Sequence, residues 1–167
     1  MKGWVVGAVA LVTSLVGCAG GPDMANIDSS GTAIIAFGDS LTYGEGASGG
    51  HDYPSLLSRH IGRDVINAGV NGETSRGALQ RLQSDVLSQH PLLVIVEFGG
   101  NDFLQRLPRA ETFANLDAIV RRIQEKGAMV VLASVPPGLI GDATRGEFLK
   151  IAKARRAALR RTSWMAS

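Results

Sequence analysis

A serine and an asparagine follow two apolar runs of the chain, in a pattern that predicts acyl-transfer chemistry. Ser40 belongs to the Gly-Asp-Ser-Leu that follows Ala33–Phe37, and Asn101 belongs to the Gly-Gly-Asn-Asp that follows Leu92–Phe98. A serine hydroxyl becomes a nucleophile when a neighbouring base takes its proton, and a side-chain amide donates hydrogen bonds to the oxyanion that then forms. The two runs therefore indicate one site for acyl transfer.

The elements that would position these residues alternate between strand and helix. Short apolar runs are typical of buried parallel strands, and such strands deliver their following residues to one edge of a sheet, where open α/β folds bind ligands. The alternation favours a parallel sheet with right-handed crossovers. The predicted strands are Ala33–Phe37, Asp64–Asn67, Leu92–Phe98 and Ala128–Ser134; the predicted helices are Tyr53–Ile61, Thr74 to about Gln89, Glu111–Lys126 and Phe148 to about Arg161.

Three blocks of the chain resemble those of the SGNH (GDSL) hydrolases. They are F-G-D-S-L-T at Phe37–Thr42, N-A-G-V-N-G at Asn67–Gly72 and G-G-N-D at Gly99–Asp102. Together with N-L-D-A-I-V and G-A-M-V-V-L-A-S-V-P-P, they are similar to the bacterial thioesterase I / arylesterase / lysophospholipase L1 group. The resemblance implies a flavodoxin-like three-layer α/β/α sandwich with a parallel sheet. Its last strand has no candidate in this sequence and is expected to be missing.

The resemblance also implies roles for three residues. Ser40 would be the nucleophile, and the oxyanion would be held by the N–H groups of Ser40 and Gly72 and by the side-chain amide of Asn101. The implied reaction is hydrolysis of a small-molecule carboxylic ester or acyl thioester through an acyl-serine. Each residue has a structural alternative: a helix cap for Ser40, a cap of the following segment for the pair Asn101-Asp102, and a plain turn for Gly72.

The general base that the resembled family supplies is missing from the sequence. Its Asp-x-x-His would follow the last strand, but no histidine follows Asn101. His60 and His90 are expected at helix ends, and His51 is the one histidine in a loop after Ser40. The sequence therefore predicts a hydrolase with impaired turnover, or a non-catalytic acyl-ligand-binding remnant of the same fold. We further expect a truncated or frameshifted family member.

Composition excludes several other functions. The net charge of +2 is too small to favour nucleic acid. The charge is unevenly distributed along the chain. Residues 19–144 carry nine basic and fourteen acidic side chains, whereas residues 145–167 carry seven basic side chains and one acidic side chain. Without a Cys/His cluster or a phosphate-binding loop motif, no metal and no organic cofactor is expected. A length of 167 residues allows one domain, which we expect to be monomeric.

The N-terminus is typical of a targeting segment. Lys2 precedes a nearly continuous apolar stretch that ends in Leu-Val-Gly-Cys, which resembles a bacterial lipobox with Cys18 as the lipidated residue. This predicts a signal peptide over residues 1–17 and a lipid anchor in an envelope membrane, facing the periplasm. The alternative is an ordinary signal peptide with a chance cysteine, which would give a secreted protein. A flexible tether is predicted over residues 18–31, the hydrolase domain over 32–153 and a divergent basic tail over 154–167.

Overall fold

The computed structural model describes residues 23–134 and 143–161. The predicted signal peptide, Cys18, the Pro136-Pro137 pair expected to follow the last predicted strand and the final six residues of the predicted tail lie outside these ranges. In chain order the elements are β1 Ala33–Gly38, α1 Ser40–Tyr43, α2 Tyr53–Ile61, β2 Val65–Gly69, α3 Ser75–Asp85, a 3-10 turn Leu87–Gln89, β3 Pro91–Glu97, α4 Gly100–Leu104, α5 Arg109–Glu125, β4 Met129–Ser134, α6 Ala143–Arg155 and β5 Ala158–Arg161.

The strands form one parallel sheet in the order β2-β1-β3-β4-β5. Strand β1 lies beside β2 and β3, with Gly38 opposite Gly69 on one side and opposite Glu97 on the other. The residues that follow these three strands therefore meet at one edge. The predicted parallel α/β architecture and the four predicted strands are confirmed.

The expectation of a missing last strand is wrong. Residues Ala158–Arg161 pair with β4, from Val131 opposite Ala158 to Ser134 opposite Arg161. The predicted helix over this segment instead ends at Arg155, because Arg156 takes a left-handed φ of 48°. Charged residues are tolerated on an edge strand, so the basic sequence Ala-Leu-Arg-Arg conceals its strand character.

Helices cover both faces of the sheet. The larger core lies between one face and helices α3, α5 and α6, where Leu82, Leu116, Ile123 and Phe148 are almost fully buried. The smaller core lies on the other face, where Tyr53 of α2 packs against Ala36, Ile95 and Ala133. Burial of each large apolar side chain in this way contributes about 1.5–3 kcal/mol to the stability of the folded state.

The described part of the predicted tether is bound to the domain. Asn26 donates from Nδ2 to the carbonyl oxygens of Gln124 (2.8 Å) and Ala128 (2.9 Å), which flank the turn between α5 and β4. The N–H of Ala25 donates to the carbonyl of Arg156, just before β5. Residues 23–31 therefore do not behave as a free tether.

Candidate active site

Ser40 lies at the junction of β1 and α1, on the edge of the sheet predicted for it. A Cβ at Gly38 would lie 1.9 Å from Thr42 Oγ1 and 2.8 Å from the Glu97 carbonyl oxygen, so only glycine fits in the last position of the strand. Asp39 caps α1 by accepting from the N–H of Leu41 at 3.0 Å. Within residues 23–134 and 143–161, no group bonds to the hydroxyl or the N–H of Ser40, which leaves both available to a ligand.

Gly72 lies in the turn after β2, at the same edge. Its φ of 73° is a left-handed conformation that glycine adopts without strain, and a Cβ there would meet no atom of the described residues within 4 Å. Its carbonyl accepts from Gln105 Nε2 at 3.3 Å. Its N–H has no acceptor in the described part of the chain.

Asn101 joins the three loops. From α4, its Nδ2 donates to the carbonyl of Glu73 at 3.0 Å and to Asp39 Oδ2 at 3.3 Å. Glu73 directly follows Gly72, and Asp39 directly precedes Ser40. The three residues predicted to act together are thus brought together, with the Asn101 amide held by neighbours of the other two. An oxyanion would take the place of the longer bond, to Asp39.

Asp102 holds this arrangement to α3. Its carboxylate is buried and accepts from the N–H of Ser75 at 2.9 Å and from the Ser75 hydroxyl at 2.5 Å. Ser75 is the first residue of α3, where the helix dipole favours a negative charge. The capping function left open for the Asn-Asp pair therefore belongs to Asp102, and it acts on α3.

Arg81 is a supporting residue that the sequence analysis missed. Its guanidinium lies over the ring of Phe37, 4.5 Å from the ring centre, and donates to the carbonyls of Gly38 (3.1 Å) and Ala68 (2.9 Å). It also forms ion pairs of 2.9 Å with Glu73 and Asp85. Arg81 thus holds the ends of β1 and β2 and the loop of Gly72. The i,i+4 spacing of Arg81 and Asp85 was the available signal, but it is equally typical of an exposed helix face.

A buried acidic cluster, made of Asp39, Thr42, Tyr53 and Glu97, lies beside the nucleophile turn and was also missed. Burial first, and the charge of Asp39 second, raise the pKa of Glu97 well above its usual range. Burial likewise raises the pKa of Asp39, against the opposing effect of the Leu41 N–H, and burial raises the pKa of the Tyr53 phenol. The sequence signal for this cluster was Glu97, an acidic residue at the end of an otherwise apolar strand. A buried acidic side chain is rare unless a partner interacts with it.

None of the three histidines contacts Ser40. His60 is exposed near the end of α2, and His90 is exposed just before β3, at the opposite edge of the sheet, where its carbonyl accepts from Thr32 and Ala33. The ring of His51 is held in its own loop, with Nδ1 3.1 Å from Ser48 Oγ and 3.3 Å from the Gly49 carbonyl oxygen. The described residues therefore bring no imidazole to the nucleophile.

Apolar side chains surround the open side of the site. Leu41 and Tyr43 of α1, Val70 after β2, and Phe103 and Leu104 of α4 are all exposed, Leu104 to 70%. A narrow apolar cavity with room for about one water lies behind α4, between Gly99, Phe113 and Phe148. The surroundings of Ser40 thus suit an apolar ligand better than a highly charged one.

Two further observations concern ligands and membranes. Within the described residues, no three histidine, cysteine, aspartate or glutamate side chains are arranged to hold a metal ion. Across the same residues, none of the helices combines the length and apolar character needed to cross a bilayer.

Comparison with known proteins gives consistent similarities. The sequence model of the GDSL-like Lipase/Acylhydrolase family matches residues 36–163. An arylesterase of Vibrio mimicus is 37% identical over 112 residues, covering 62% of this chain and 56% of the relative. A protein of Bacillus subtilis strain 168 named uncharacterized lipoprotein YqeF is 39% identical over 123 residues, covering 65% and 50%. The chain spans about half the length of the curated relatives it matches.

A solved structure shares the fold. The crystal structure of AlinE4, described as an SGNH-hydrolase family esterase, superimposes with a TM-score of 0.67 at 38% identity and covers 77% of this chain and 75% of that one.

Proposed function

The chain belongs to the GDSL-like lipase/acylhydrolase family, and on that premise we propose that it is a serine hydrolase of carboxylic esters or acyl thioesters whose nucleophile is Ser40. The oxyanion donors are the N–H groups of Ser40 and Gly72 and the side-chain amide of Asn101. The observation that carries the proposal is the pair of hydrogen bonds from Asn101 to Glu73 and Asp39. They draw three separate loops to one edge of the sheet.

The proposed reaction follows from this arrangement. Ser40 Oγ attacks the acyl carbon, and the oxygen that gains the negative charge is held by donors already oriented towards it, each worth about a hundredfold or more in rate. The alcohol or thiol leaves with the proton of the Ser40 hydroxyl to give an acyl-serine, and water then attacks the acyl carbon, returns a proton to Ser40 Oγ and releases the acid. The exposed apolar side chains around the site favour an acyl substrate that is itself apolar.

A fluorophosphonate probe tests the nucleophile. It phosphonylates a serine hydroxyl with loss of fluoride and stays attached, so mass spectrometry of the digested protein locates the adduct. We expect slow labelling of the peptide that contains Ser40, because no described histidine activates its hydroxyl, and none in Ser40→Ala. Ser48→Ala, which changes an exposed serine of the neighbouring loop, is the matched control and should label like the parent. Labelling that persists in Ser40→Ala would contradict the assignment.

Turnover by this chain is proposed to be impaired, because no described histidine reaches Ser40 and a serine without a base is a weak nucleophile. We expect hydrolysis of p-nitrophenyl acetate far below the rate of an intact family member measured in parallel. A comparable rate, abolished by Ser40→Ala, would refute the impairment while supporting the nucleophile.

The histidine positions also favour a second candidate function. A site with open N–H donors and no base would bind acyl ligands without turning them over. In that case isothermal titration calorimetry would detect binding of a fatty acid or of a stable thioether analogue of an acyl thioester. The fluorophosphonate would leave no adduct on Ser40.

For localisation, we propose a lipid anchor on Cys18 that holds the domain at a bacterial envelope membrane. The lipobox-like sequence supports this, as does the similarity to a Bacillus subtilis protein named as a lipoprotein. Radiolabelled palmitate should be incorporated in cells, and Cys18→Ser should abolish the incorporation.

A further inference from the structure

The acidic cluster is sealed from water directly beneath the turn that carries Ser40. Glu97 is fully buried, and its Oε2 accepts from Thr42 Oγ1 at 3.1 Å and from the N–H of Asp39 at 3.4 Å. Thr42 Oγ1 in turn lies 3.2 Å from the Tyr53 hydroxyl. The side chain of Asp39 is also buried, and its two oxygens take hydrogen bonds from Leu41 and Asn101.

The other oxygen of Glu97 argues against a charged carboxylate. Oε1 is buried, and no donor in the described part of the chain reaches it. A carboxylate oxygen left without a donor in such a place costs several kcal/mol, whereas a protonated acid carries its own donor there. The Asp39 carboxyl, which interacts directly with that of Glu97, supplies an acceptor.

We propose that Glu97 is a positioning residue of the Ser40 site: its carboxyl keeps a proton and donates it as a hydrogen bond to the Asp39 carboxylate, so that the pair carries one negative charge. The proposal rests on the proposed function in that Ser40 is taken as the nucleophile. The remaining charge on Asp39 holds the N–H of Leu41 and the amide of Asn101. The shared proton therefore fixes both the nucleophile turn and an oxyanion donor.

The groups that face the pair give no other way to neutralise it. Asp102 of α4 adds a further negative charge near Asp39, and Tyr53 of α2 contributes a neutral phenol. Arg81, on the side of Phe37 and Phe98, donates to the carbonyl of Gly38 and bonds to neither carboxyl of the pair. Within the described residues, no lysine, arginine or histidine bonds to either carboxyl. Removal of the proton would therefore place two facing anions where water cannot separate them.

Carbon-13 NMR of the glutamate side-chain carboxyls tests the protonation state without any turnover. The whole chain, labelled at glutamate Cδ, is titrated from acid to alkaline pH, and Glu97→Gln identifies the Glu97 resonance by its absence. We expect this resonance to keep the chemical shift of a protonated acid at pH values where the same carboxyl of the denatured chain has ionised. Ionisation at the same pH as in the denatured chain would overturn the proposal. Glu125→Gln, at an exposed glutamate, is the control and should leave the Glu97 titration unchanged.

Nitrogen-15 spectra test the positioning. The N–H of Leu41 and the side-chain amide of Asn101 should shift with the same midpoint as the Glu97 carboxyl, and these shifts should vanish in Glu97→Gln, whose amide donates to Asp39 at every pH. Resonances that ignore the Glu97 midpoint would reduce the residue to a buried acid with no influence on the site and would overturn its positioning role.

Two precautions keep the outcomes separable. If Glu97→Gln does not fold, Asp39→Asn can identify the Glu97 resonance instead. Removal of the facing charge should lower the midpoint of the Glu97 titration. An unchanged midpoint would contradict the pairing of the two carboxyls. Failure of the fluorophosphonate reaction would count against the proposed function alone, since both NMR measurements are independent of it.

Discussion

Arg81 is the residue whose neighbours best explain the order of the site. Its guanidinium is only 15% exposed and bonds to both the end of β1 and the end of β2, while its ion pair with Glu73 holds the loop that presents Gly72. The rigid, planar guanidinium group can make all of these bonds simultaneously, whereas a lysine ammonium group cannot. Arg81 therefore supports the site from outside the three residues proposed to act on the substrate.

Arg81→Met should lower the free energy of unfolding by about 2 kcal/mol, because the change leaves Glu73 and Asp85 without their partner and two carbonyls without a donor. Denaturant titration measures this. Arg76→Met is the matched control on the same helix, because Arg76 forms an exposed pair with Glu111; it should change stability by less than about 0.5 kcal/mol. Equal losses in the two variants would show that Arg81 has no special supporting role.

At the scale of elements, the junction of β1 and α1 sets the position of the nucleophile. The strand must end where Thr42 and the backbone of Glu97 both approach Gly38, and the helix must begin at once so that Asp39 can cap it. The short α1 has only four residues, so its place is fixed by these contacts rather than by its own helical stability.

Gly38→Ala should disrupt this junction, because the new methyl would lie 2.8 Å from the backbone oxygen of Glu97 and closer still to Thr42. Overpacking of this kind costs about 1–3 kcal/mol, so we expect a lower melting temperature together with loss of fluorophosphonate labelling. Gly49→Ala is the control, since nothing lies within 4 Å of a Cβ there. Normal labelling in Gly38→Ala would contradict the close fit.

At the scale of the whole molecule, the buried Glu97 and the partly exposed acids Asp85 and Asp117 give opposite pH dependences. The pKa values of Asp85 and Asp117 are lowered, first by hydrogen bonds from Ser84 and Arg155, so their stabilisation is present above the unfolded-state pKa and is lost as pH falls through the folded one. The pKa of Glu97 is raised, so the folded protein holds a proton that the unfolded chain releases. Its contribution to stability therefore falls as pH rises between the unfolded and the folded pKa.

Stability measured by denaturant titration should reveal this difference above pH 5. Relative to Glu97→Gln, the parent chain should lose stability with rising pH, by up to about 1.4 kcal/mol per pH unit within that window. Glu125→Gln should follow the parent. Parallel curves for the parent and Glu97→Gln would mean that Glu97 ionises normally in the folded protein.

The sequence by itself determined what depends on neighbours along the chain. The apolar runs predicted β1, β3 and β4, and the predicted helix beginning at Thr74 begins there in the structure, with Thr74 as its N-cap. Because parallel strands end at a common edge, the same runs predicted that Ser40 and Asn101 would lie together. The three blocks that resemble the SGNH hydrolases predicted the family, and the match over residues 36–163 confirms it.

Only the tertiary structure decided what depends on distant partners. The sequence Ala-Leu-Arg-Arg becomes β5 because β4 offers it an unpaired edge, and no local pattern encodes that pairing. Likewise Arg81 and Glu97 resemble ordinary helix and strand residues until Phe37, Glu73, Asp39 and Thr42 surround them. Burial in a low-dielectric interior changes the energy of a charged group by several kcal/mol, and it is the folded chain that sets which side chains are buried together.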